Sequence, residues 1–149
     1  MIICKYIDKL AAAEAVLRDY NSMLFILENT DDYIKNKIDE MYAVQTPGID
    51  GMPKAHNPKA FENRMVECID DVQLMKERYC QAREYMHWFM PAWTKLSSDE
   101  RHVLDICYMR EGKYNVTDNL VDELHLSKSQ SYKYRNRALK HISLMLFGA

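Results

Sequence analysis

Two stretches of the chain repeat apolar residues at alternating spacings of three and four, and few folds accommodate that pattern. In the first, Ile3, Leu10, Leu17, Leu24, Asp31 and Ile38 share one heptad position, and Tyr6, Ala13, Tyr20, Leu27, Ile34 and Met41 share the position three later. Eleven of those twelve are apolar. In the second, Phe61, Met65, Cys68, Val72, Met75, Tyr79, Ala82, Met86, Phe89 and Trp93 keep the rhythm without a miss. Such a repeat lays one apolar seam along a helix and asks for a partner helix along its whole length.

Helices are therefore expected at about 3–42 and 58–92, roughly 60 and 50 Å long at ~1.5 Å per residue. Asp31, within Asn29-Thr30-Asp31-Asp32, is the one interruption. A continuous helix is the preferred reading, with a break capped by Thr30 as the alternative. Pro47, Gly48, Gly51 and Pro53 mark 43–57 as a loop. Two helices of similar length joined by one loop form an antiparallel hairpin most simply. Tyr85, Trp88, Phe89 and Trp93 thicken its C-terminal end, and Pro91 is expected to end or kink the second helix. A hairpin has little core of its own, so a homodimer through its remaining apolar surface is the expected self-association.

The chain has 149 residues, enough for one domain or a small domain with a helical arm. Four glycines and four prolines are too few for a sheet-rich fold of this size. No apolar run approaches the ~20 residues of a membrane span, and the N-terminus lacks a signal-peptide block. Cys4, Cys68, Cys80 and Cys107 are scattered on helical patterns, as reduced buried thiols of a cytoplasmic protein would be. The spacings of Cys80 and His87, and of His102 and Cys107, do not suit a metal site. Asp31-Asp32 and Asp70-Asp71 are adjacent pairs that point to different sides of a helix. No catalytic constellation, metal site or cofactor motif emerges, and the expectation is a protein that is not an enzyme.

The formal charge of −2 hides an asymmetry. Residues 1–112 sum to −5 and residues 113–149 to +3, and from Leu126 to His141 there are five bases and no acid. The local signals change there too. Ser97 with Glu100 is a capping-box pattern, followed by a short apolar helix through Tyr108 that Gly112 should end. Asn115 to Asp118 opens another helix, and Ser127 with Gln130 begins a last one after a turn of about three residues. That is helix-turn-helix spacing. On the last helix Ser131, Tyr134, Arg135, Ala138 and Ile142 share one side, flanked by Leu139, Met145 and Leu146. Opposite lie Ser129, Lys133, Asn136 and Lys140, with Gln130, Tyr132 and Arg137 on the shoulders. These are the groups that read base edges and hold phosphates in double-stranded DNA. Lys128, Ser129, Gln130 and Lys133 are assigned to the major groove, and Arg137 and Lys140 to phosphates. Tyr132 and Arg135 are further backbone partners, and Asn136 completes the face.

Leu96 through Ile142 resembles the region 4 helix-turn-helix of sigma-70-type factors, most closely at Ser127-Lys128-Ser129-Gln130-Ser131-Tyr132 and Arg137-Ala138-Leu139. The whole layout is similar to small phage and prophage proteins of Gram-positive bacteria, an uncharacterised family akin to late-gene activators of the ArpU and RinA kind. The resemblance implies an all-α chain: a long two-helix coiled-coil hairpin arm over 1–94, then a small sigma region 4-like DNA-binding domain over 95–149. It implies a transcription regulator in the cytoplasm of a bacterial host, its arm serving dimerisation or contact with host RNA polymerase. Departures from the pattern are His125 where such turns often carry Gly, Val121 in place of a small residue, and Ser131 and Tyr134 at sites usually aliphatic. Two other readings of the same pattern are a DNA-packaging subunit of the small-terminase kind and a hairpin whose basic helix grips an acidic protein.

Overall fold

In the computed structural model, residues 8–43, 58–110 and 116–148 are described, and no strand occurs among them. The elements are α1 (Lys9–Ala43), α2 (Pro58–Lys95), α3 (Ser98–Leu104) running on into a π-helical turn (Asp105–Met109), α4 (Val116–Leu124) and α5 (Lys128–Phe147). Among the described residues no helix is long and apolar enough to cross a membrane. Ile3, Cys4, Tyr6, the 44–57 part of the expected loop, Gly112 and Asn115 lie outside the described residues.

α1 begins later than the seam suggests. The Asp8 carboxylate accepts from the amides of Leu10 at 3.0 Å and Ala11 at 3.2 Å, an N-cap that satisfies two donors of the first turn. The helix then continues unbroken past Asn29–Asp32. Asn29 and Thr30 donate back to the carbonyls of Phe25 and Ile26, a bond that fits inside a helix. Thr30 is buried and Asp31 exposed, so the seam steps over by one residue and the acid stays in solvent.

α2 starts at Pro58 as expected and continues through Pro91 to Lys95, so of the two expected effects of the proline, ending the helix is the one that does not occur. Proline removes one hydrogen bond, and here it does so near the helix end. Phe89, Ala92 and Leu96, on either side of it, are buried and hold the last turns in place.

Contacts divide the chain into two compact units. In Leu24–Arg83, α1 and α2 lie antiparallel. Lys37 Nζ meets Asp71 Oδ2 at 2.9 Å, and the Cys68 thiol points to the Lys37 carbonyl at 3.8 Å. Among the described residues there, Thr30, Cys68 and Ala82 are the buried ones, the thin interior of a two-helix layer.

The other unit joins the described residues through Met23 to those from Glu84 onward, so residues on both sides of the expected 94/95 boundary share its core. Phe89 is fully buried and stacks with Tyr85 at 5.5 Å and Trp93 at 5.6 Å, with Tyr20 tilted against it. Ala13 and Leu17 of α1 join Leu104, Ile106, Leu120 and Ile142 in the same cluster. Polar ties close its rim. Tyr85 donates to the Val16 carbonyl at 2.6 Å, Tyr108 to Glu14 at 3.0 Å, and Asn21 to the Met109 carbonyl. At the chain's far end, Ser143 donates to the Lys9 carbonyl at 3.1 Å, and Lys9 Nζ to that of Gly148 at 3.1 Å.

The Ser97–Glu100 capping box is present in both directions. Beyond it, Ile106, Cys107, Tyr108 and Met109 are buried in succession, which no one-sided α-helix allows. The chain winds there as a π turn, closed by Arg110 N to Asp105 O at 3.0 Å. It ends at Arg110, whose backbone is extended, ahead of the expected Gly112.

Candidate nucleic-acid interface

α4 and α5 are separated by His125, Leu126 and Ser127. His125, at the position where turns of this kind often carry Gly, makes the bend at φ 51°, in the left-handed region that favours glycine. Ser127 then caps α5: its Oγ accepts from the Gln130 amide at 3.3 Å and donates to the Gln130 side chain at 3.2 Å. Arg110 links the π turn to α4. Its Nε meets Asp105 Oδ2 at 2.9 Å, and one terminal nitrogen meets both Glu123 oxygens at 2.7 and 2.9 Å. The Arg110–Asp105 pair was invisible in the sequence, because residues five apart align on a helix only where it winds as a π turn, and Glu123 lies thirteen residues from Arg110.

On α5, Ser131, Ala138, Leu139, Ile142 and Ser143 are buried, close to the expected inner side. Tyr134 is a correction: it is 51% exposed rather than inward. It sits where α5 meets the first turn of α3, beside a shallow concavity lined by Ser97, Glu100, Val103 and Arg137. Ser131 Oγ is fully enclosed and has no hydrogen-bond partner among the described residues.

The outer side of α5 presents Lys128, Ser129, Gln130, Tyr132, Lys133, Arg137 and Lys140 to solvent, with Arg135 and Asn136 half-buried. Tyr132, Lys133, Asn136, Arg137 and Lys140 line one open concavity. Arg135 folds back over the Tyr132 ring, 4.8 Å from its centroid, and reaches Asn136 Oδ1 at 3.2 Å. Lys128 stands apart, with its ammonium 3.5 Å from Asp118 of α4. The nine candidate residues thus divide into a cluster of three cations with Tyr132 and Asn136, an inward-turned Arg135, and Lys128, Ser129 and Gln130 at the helix start. Asp118 is the member that sequence reasoning missed. Its distance from α5 along the chain gave no local signal.

Among the described residues no three His, Cys, Asp or Glu gather to hold a metal. Burial pushes the Cys107 thiol up to about 12 against the opposing pull of the Arg135 charge, so it stays protonated at neutral pH. Cys68 and Cys107 are buried, whereas Cys80, expected inside, is exposed. No protein-family model, curated protein or solved structure matches this chain.

Proposed function

We propose that this chain is a sequence-specific double-stranded-DNA-binding regulator of transcription, of phage or prophage type, with α4 and α5 as a helix-turn-helix and α5 in the major groove. The observation that carries the reading is the outer side of α5: Lys133, Arg137 and Lys140 around one concavity, on a helix without a carboxylate. An ordinary solvated helix mixes both signs, while a helix docked on phosphates needs one. The short α4, the three-residue turn and the Ser127 cap supply the motif in which such a helix is usually found. The likeness to sigma region 4 supplies the regulatory part, with host RNA polymerase as the partner a regulator of this kind engages.

The test is a mobility shift on duplex fragments flanking the protein's own gene. Binding is expected at low salt, with log K falling against log salt by ~0.9 per phosphate contact. Lys133→Ala and Arg137→Ala should each weaken binding several-fold and lower that slope by about one, with helical content unchanged. Absence of any shift by the wild-type chain at low salt overturns the reading.

A further inference from the structure

The unit Leu24–Arg83 leaves a large apolar face open on one side of its two helices. Ile38 and Tyr42 of α1, and Met65, Val66 and Ile69 of α2, are exposed there by 38%, 58%, 38%, 56% and 57%. Most of them border one groove between the helices. A two-helix layer cannot bury a second side against itself, and apolar surface this contiguous marks a contact.

The charges beside the groove say what fits it. Advancing about 100° per residue, Glu62, Met65, Ile69, Gln73 and Lys76 follow one another along the same side of α2. All five are exposed. Glu62 and Lys76 each lie seven residues from Ile69, about 10 Å along the axis on either side. Neither has an ion-pair partner among the described residues. An identical helix laid antiparallel, with its centre on Ile69, therefore meets this one in register. Ile69 faces Ile69, Met65 faces Gln73, and each Glu62 faces the Lys76 of the other copy. A surface that complements itself in this way has the signature of a two-fold interface, in which one contact is made twice. A different protein would have to bring its own matched charges at this spacing, whereas a second copy supplies them from the same two residues.

We infer that two copies of the chain pair through this side of α2, antiparallel, about a two-fold axis at Ile69. The pairing is independent of the DNA-binding reading and stands or falls separately.

The full-length chain at micromolar concentration should show twice the mass of 17.6 kDa in light scattering or sedimentation equilibrium. Ile69→Asp should give the single-chain mass with unchanged helical circular dichroism. Glu62→Lys and Lys76→Glu, made singly, place like charges opposite each other and should weaken the pair about tenfold or more. The double variant Glu62→Lys/Lys76→Glu should restore it, which general damage to the fold cannot do. A monomeric wild-type chain, which would leave the face to a different protein, overturns the inference. So does a ring of many copies, a dimer indifferent to Ile69→Asp, or a double swap that fails to restore pairing.

Discussion

His141 Nδ1 lies 3.0 Å from Glu100 Oε1, joining the helix with the basic face to the capping box of α3. Burial pushes the Glu100 carboxyl up, but the Ser97 amide, His141 and the Ser97 hydroxyl outweigh it and hold it below its ordinary value. A carboxyl lowered in the folded state stabilises fully above its unfolded value near ~4.3, and that contribution is lost as pH falls through the folded value. Glu100→Gln should therefore cost about 1 kcal/mol at pH 7. In urea unfolding across a pH series, the two proteins should converge as pH drops below the ordinary carboxylate range. A gap that stays constant into strong acid would refute the coupling.

Ser131 tests the packing beneath α5. Its enclosed hydroxyl lacks a partner among the described residues, and such a group costs ~1–3 kcal/mol in lost hydration. Ser131→Ala removes the hydroxyl without enlarging the side chain and improves helix propensity. Stability should rise by about 1 kcal/mol in chemical denaturation. A loss of stability means that Ser131 has a partner after all.

The bend at His125 makes a third stability prediction. A residue with a Cβ pays ~1–2 kcal/mol in the left-handed region, and glycine avoids that at some cost in chain entropy. His125→Gly should raise the melting temperature slightly, and His125→Val, β-branched and so worse at positive φ, should lower it. Identical melting of the three proteins would remove the strain argument.

Asp118 lies 3.5 Å from Lys128, the first residue of α5. If α5 docks on DNA, that carboxylate competes with phosphate for the ammonium and repels the duplex. Asp118→Asn should tighten binding several-fold at low salt, with the gain shrinking as salt screens the charges. Mobility shifts at two salt concentrations settle it, and weaker binding by the variant counts against this docking face.

Whatever a repeat or a cap writes locally was legible in the sequence. The seam from Phe61 to Trp93 foretold α2, and Ser97 and Ser127 foretold where α3 and α5 begin, because a cap needs only the residues next to it. The outer side of α5 was also legible, since helical spacing sorts a single helix into faces. What escaped depends on neighbours distant in sequence. Thr30 took the inner place that the heptad gave to Asp31. Pro91 stayed helical because residues around it are buried. Tyr134 turned outward, and the π turn at Asp105–Met109 answers a site enclosed on all sides. No periodicity announces enclosure.

Ala13 and Leu17 line the same core as Leu139 and Ile142, and Lys9 is bonded to both Ser143 and Gly148. Contacts spanning nearly the whole chain cannot form during most of its synthesis. At ~5–20 residues per second, the first turns of α1 wait several seconds outside the ribosome before α5 emerges to cover them. Through that interval their apolar stripe is open to whatever else in the cell binds nascent helices. A chain cut short before α5 would leave that stripe open permanently.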